Sequence, residues 1–148
     1  MTVTCSIYKA EKQRVAVDEW AARDLRCLLL DTTSTYVFNE TDLYVADVLA
    51  GGGVEGAWTS YARQALTLSA PTYSGGYWQL LVSTTDFGII GSSGTHKTAG
   101  VIVYQHVTTD ADHLLVAHAA VSPTVAVYDG SNPFTVTWPG TGLAKVGG

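Results

Sequence analysis

The stretch AGVIVYQHVTTDADHLLVAHAAV, residues 99–121, decides the fold. Its two halves, 99–107 and 113–121, are apolar at successive positions, so neither keeps a polar face for water. Strands of this kind sit centrally in a sheet with both faces covered. Between them TTDAD, residues 108–112, supplies the polar residues of a hairpin loop. A buried hairpin therefore organises the chain, and the other segments are its covers and neighbours.

Those segments read mostly as strands. LRCLLLD at 25–31 is a short apolar run whose length favours a buried strand over a helix. YARQALTLS at 61–69 alternates, with Ala62, Leu66 and Leu68 on one side and Arg63 and Thr67 on the other. After the glycine turn SGG at 74–76, YWQLLVST places Trp78, Leu80 and Val82 on one apolar face. DFGIIGSSG at 86–94 reads as a short strand or loop. FTVTW at 134–138 turns Phe134, Val136 and Trp138 inward between Pro133 and Pro139, and proline suits strand ends. The count is about six strands, without intervening long helices, so a parallel doubly wound sheet is disfavoured. The expected class is all-β: an antiparallel, jelly-roll-like β-sandwich. Its expected core includes Leu29, Leu66, Trp78, Leu80, Val103, Val116, Phe134 and Trp138.

Two segments depart from this pattern. NETDLYVADVLAGGG at 39–53 predicts one short helix near 40–49, with Asn39 as N-cap, Asp42 as a short-armed capping-box partner and Gly51–Gly53 as the stop. Residues 1–23 are the least β-like part and read as an arm or short helix. Residues 24–148 form the sandwich domain. At 148 residues the chain is long enough for one core without a metal or disulfide staple.

Charge narrows the function. Charged residues make up 14% of the chain against about 25% in typical domains. Residues 32–148 contain three basic residues, Arg63, Lys97 and Lys145, and the formal net charge is −5. Phosphate neutralisation and anionic membrane binding both need clustered Lys and Arg, so neither nucleic acid nor a membrane surface is an expected partner. No signal-peptide pattern and no long apolar run is read. Cys5 and Cys27 read as free thiols of a reducing compartment, with a bridge between them left open.

No catalytic constellation rises above this background. His106 and His118 fall on adjacent expected strands as possible cross-strand neighbours. With His96 and His113 they lack the cysteine or acidic companions of a metal site. No serine lies in a G-x-S-x-G elbow, and the loop acids Asp86, Asp110, Asp112 and Asp129 form no evident pair. GGGVEG at 51–56 lacks the G-K-[ST] of a phosphate loop. A non-enzymatic protein without metal or cofactor is the expectation. Trp58, Tyr61, Tyr73, Tyr77 and Trp78 cluster around two loops, with core packing the first reading of Trp78, and such aromatics are enriched at interface cores. Together with Arg63 as a charged contact, the others are the candidate interface. Sugar binding is the other use of such loops.

The order of motifs carries a resemblance. LRCLLL, then TDLYVADVLAG, SYARQAL, GVIVYQHVTTDADHLLVAHAA and FTVTWPGTGLAKV succeed one another over residues 24–146. This succession resembles a family of small structural proteins encoded among the virion genes of tailed bacteriophages. The first twenty or so residues depart from that family's pattern. The resemblance implies a virion component, made in the bacterial host cytoplasm and lacking enzymatic activity. It implies partners among virion proteins, the major capsid protein first, and assembly as a homo-oligomer. A capsid decoration or cement protein is the leading placement. A neck or tail-associated protein, or a receptor- or carbohydrate-binding module on the tail, is the alternative.

Overall fold

In a computed structural model of the chain, residues 3–9, 11, 17–91, 96–121, 126–128 and 132–146 are described. The buried hairpin is there: β7 (His96–Gln105) pairs antiparallel with β8 (Leu114–Val121). β2 (Leu25–Asp31) runs antiparallel along the other side of β7, with Cys27 opposite Val103 and Leu29 opposite Val101. β1 (Val3–Ile7) adds outside β8, and β3 (Gln64–Ala65) outside β2. The order is thus β1-β8-β7-β2-β3, with β9 (Ala126–Tyr128) pairing the start of β7.

Both faces of this sheet are covered, as strands apolar at successive positions require. One face carries Leu28, Leu30, Ile102, Tyr104 and Leu115 under an α-helix, α1 (Val45–Ala50), which contributes Val45 and Val48. The opposite face carries Leu25, Cys27, Leu29, Val101, Val103, Ala117 and Ala119. It packs against Leu80, Phe87, Phe134, Val136, Trp138 and Leu143. These residues come from or adjoin two short sheets. One is β4 (Thr72–Ser74), β5 (Tyr77–Leu80) and β11 (Ala144–Val146), in the order β11-β5-β4; the other pairs β6 (Thr85–Asp86) with β10 (Thr135–Val136). The all-β antiparallel class holds. The jelly-roll-like detail is not seen among the described residues, because the second layer is two short sheets rather than one. Prolines and left-handed glycines interrupt it: Pro71 precedes β4, Pro133 and Pro139 flank β10, and Gly75, Gly76, Gly88 and Gly142 all have positive φ.

A β-bulge sets the packing of β8. Val103 lies opposite Ala117 but Tyr104 opposite Leu115, which leaves Val116 extra. Leu115 joins the helix-side core, while Val116 and Ala117 both join the other one. One inserted residue thus re-aims the alternation so that Leu115, Val116 and Ala117, three successive apolar residues, are all buried.

Three expectations change. The helix begins at Val45, not near residue 40. Asn39 is no N-cap: its side chain donates to Asp42 Oδ1 and accepts from the Thr41 N–H and hydroxyl in a turn before the helix. Asp47 Oδ2 receives the N–H groups of Leu43 and Tyr44 instead. The helix's first donors, Val45 and Ala46 N–H, reach the carbonyls of His113 and Asp110 in the β7–β8 loop. At the other end Gly51 caps the helix by donating to Asp47, and Gly52 takes the left-handed φ of 97°.

The N-terminal segment, expected as an arm or short helix, adds a strand to the main sheet over Val3–Ile7 and a short helical turn over Val17–Ala22. Val3–Ile7 holds five consecutive register positions against β8. Trp20, in a 3-10 turn over Val17–Ala22, is fully buried and donates its Nε1–H to the Leu81 carbonyl at 3.1 Å. Cys5 and Cys27 are both free thiols. Two strands separate β1 from β2, a span of about 14 Å that no disulfide bridges.

Leu29, Leu66, Leu80, Val103, Val116, Phe134 and Trp138 are all buried, but Trp78 is 40% exposed. Trp78 does share a strand face with Leu80. It lies two residues, about 7 Å, further along β5, where the hairpin has run past its cover. A denaturant titration separates the two positions. Leu80→Ala lowers stability by about 2–5 kcal/mol, whereas Trp78→Ala lowers it by about 1 kcal/mol or less.

Candidate interaction surface

The aromatic residues expected at one interface fall into two groups with different roles. Trp58 and Tyr61 are partly buried and pack on the core, with Tyr61 stacked on Phe87 at 6.0 Å and edge-on to Trp58 at 5.5 Å. The Tyr61 hydroxyl accepts the Leu29 N–H at 2.9 Å and donates to Glu55 Oε1 at 3.0 Å. Tyr61 thereby fastens the loop after α1 to β2. Its hydroxyl and ring are thus both engaged within the fold, and Trp58 leans on it.

Arg63 is also occupied. Its Nε and Nη2 donate to the two Glu55 oxygens at 2.9 and 2.7 Å, and its Nη1 and Nη2 to those of Asp110 at 2.6 and 3.1 Å. Its guanidinium lies 5.5 Å from the Tyr104 ring centroid. The hydrogen bonds to Glu55, with Asp110 adding to them, hold the guanidinium firmly protonated, and Arg63 in turn keeps the Asp110 carboxyl below its ordinary pKa. A cation matched by two carboxylates has no charge left to steer a partner, so Arg63 is a clamp between the 51–63 segment and the β7–β8 loop.

The histidines beside this clamp differ from the expected cross-strand pair. His118 sits opposite Ile102 and stacks on Phe38 at 5.8 Å. His106 lies instead next to His113, with ring centroids 4.9 Å apart. His113 is buried, stacks on Tyr104 at 4.7 Å, and accepts the Val107 N–H through Nδ1. Burial first, then the neighbouring His106, lowers the His113 pKa, and burial lowers that of His118. No local pattern announces the His106–His113 pair, since only the closing of the 106–113 loop brings the rings together. Among the described residues no group of three or more His, Cys, Asp or Glu is arranged to hold a metal ion.

Tyr73 and Tyr77 remain as exposed aromatics, and Trp78 joins them. They are 62%, 43% and 40% exposed, all on the β4–β5 hairpin. Register builds the group: Tyr73 is directly opposite Trp78, and their rings meet edge to face at 5.5 Å. Gly75 and Gly76, with φ of 62° and 87°, form the two-residue turn that brings the strands back on themselves. β4 is the outer strand of its sheet and carries no charge. The result is an aromatic face beside a backbone edge that no described strand pairs. The alternation rule led away from Trp78 because it treats a strand's apolar face as uniformly covered.

Set against family models, curated proteins and solved structures, the chain matches none. The resemblance carried by residues 24–146 gains no support from those comparisons.

The clamp makes stability depend on pH in a definite direction. Asp110 has a lowered folded-state pKa, so its contribution is present above the ordinary carboxylate value of about 4 and lost as pH falls through the folded value. His113 and His118 are also lowered, so their contribution is present above about 6.5 and declines as pH falls below it. Urea midpoints measured at each pH unit from pH 7 down to about 2 therefore fall in two stages. His118→Phe shrinks the upper stage. Arg63→Met removes the Asp110 part of the lower one and, with the site about a quarter exposed, lowers stability at pH 7 by about 1–3 kcal/mol.

Proposed function

We propose that this chain is a non-enzymatic assembly protein that docks on other protein subunits through the aromatic face of the β4–β5 hairpin. The single observation behind this reading is that Tyr73, Tyr77 and Trp78 lie together at the surface of a domain that buries Trp20 and Trp138 almost completely. Large, rigid aromatics at the surface are the side chains that supply binding energy at interfaces. A low-charge surface suits a protein held by packing rather than by long-range steering.

The motif order over residues 24–146 suggests the setting: a tailed-phage virion, with the chain as a decoration or cement protein on the head and the major capsid protein as its first partner. A neck or tail position satisfies the same surface. A second reading, a receptor- or carbohydrate-binding module on the tail, is favoured by the exposed Tyr73–Trp78 pair, since an aromatic ring face suits a sugar ring.

Purified particles of the phage that encodes the chain hold it in at least tens of copies. A Tyr73→Ser/Trp78→Ser double variant folds, with an unchanged thermal transition to within a few degrees, yet binds particles at least tenfold more weakly. Absence from particles removes the virion reading. Undiminished particle binding by the double variant moves the contact off this hairpin. A glycan-array signal lost in the same variant selects the second reading.

A further inference from the structure

We infer that β1 is a self-recognition edge, through which two copies of this chain join their main sheets across a two-fold axis. The inference stands independently of what the aromatic hairpin binds.

β1 closes one end of the main sheet: its inner side pairs with β8 over Val3–Ile7, and among the described strands none pairs with its outer side. It is the longest such open edge, since β3 has two residues and β4 three. Sheet proteins protect open edges with charges, prolines or bulges, because an unprotected edge pairs with another strand. The sequence VTCSI has no charge and no proline, and its five register positions run without a bulge. Beside it lies a groove of about 380 Å³ lined mainly by Val3, Cys5, Ile7, Pro139, Leu143 and Ala144, again without a charged group. A charged or bulky partner has nothing to recognise here, whereas an extended, uncharged strand does.

The strand's own sequence is the best match for that description. Antiparallel pairing of two β1 strands about Cys5 sets Val3 opposite the second copy's Ile7, Thr4 opposite its Ser6, and Cys5 opposite its Cys5. Apolar residues then meet apolar ones on the core side, where Val3 is buried and Cys5 and Ile7 pack against the core. The two exposed hydroxyl residues, Thr4 and Ser6, meet on the other side. A two-fold contact requires such self-complementarity, and it closes at two copies rather than growing into a filament. Paired α-carbons in such a ladder are about 4.5–5.5 Å apart, within reach of a disulfide.

That register can be tested with the full chain. In a Cys5→Ser background, single variants Thr4→Cys and Ser6→Cys are prepared separately, mixed, and oxidised with diamide, which takes up the two thiol protons and two electrons. The mixture gives a disulfide-linked dimer on a non-reducing gel, and either variant alone gives at least tenfold less. Light scattering of the unmodified chain gives twice the monomer mass at tens of micromolar. A Thr4→Lys/Ser6→Lys variant, which sets lysines against each other across the axis at two exposed positions, gives the monomer mass with its thermal transition retained. A monomeric unmodified chain overturns the proposal. So does a dimer that survives the lysine pair, or one that lacks the mixture-specific cross-link, because its contact lies elsewhere.

Discussion

Burial of β2, β7 and β8 on both faces is the constraint on which the rest of this structure depends. Val101, Ile102, Val103 and Tyr104 are four successive residues, and all are shielded from water. Such a strand has no solvent side, so the sheet needs a cover on each face before it is stable. α1 and the loop before it cover one face, and the two short sheets with Trp20 cover the other. The bulge at Val116 follows from the same demand, because a regular β8 would place one of its apolar side chains on the wrong face.

The loop joining β7 to β8 connects this core to its helical cover. It supplies Asp110 to Arg63, and the carbonyls of Asp110 and His113 to the first N–H groups of α1. A six-residue helix is too short to stand alone in water. It is held by these loop contacts, by Asp47 at its start, and by Val45 and Val48 below. Breaking the clamp would therefore loosen the loop and release the donors that begin the helix.

How far the sequence reveals this varies with the physics behind each element. The central strands were legible because their signal, successive apolar residues, is local and follows directly from burial. Gly51–Gly53 was legible as a helix stop for a similar reason: the backbone conformation belongs to the residue itself. Asn39 failed as a cap because Asn, Asp and Thr favour turns and helix starts by the same side-chain hydrogen bonds, and only α1's docking decides between them. Trp78 failed because alternation gives a strand's face but not how far its cover extends. Arg63 and Tyr61 carry interface-prone side chains, and their partners Glu55, Asp110 and the Leu29 backbone lie up to 47 residues away in sequence. The N-terminal strand was missed although Val3, Cys5 and Ile7 alternate with Thr4 and Ser6, because five residues are too short a run to decide and the pairing that fixes them is with β8, more than 100 residues away.

The two open surfaces, the β1 edge and the β4–β5 aromatic hairpin, belong to different sheets and have different chemistry. VTCSI presents small apolar and hydroxyl groups that match their own reversed sequence, which favours a second copy. Tyr73, Tyr77 and Trp78 present broad rings with no such counterpart along β4 and β5, which favours a different molecule. The two proposed contacts would reinforce one another. A dimer formed through β1 carries two aromatic hairpins, so after the first docks, the second binds at an effective concentration set by the dimer's own geometry. Binding then strengthens by orders of magnitude without a new contact, provided the partner surface repeats at a matching spacing. That condition is met by a regular lattice of identical subunits and rarely by an isolated protein, so the pairing of a self-complementary edge with an aromatic face argues for a protein that works on a repeating surface.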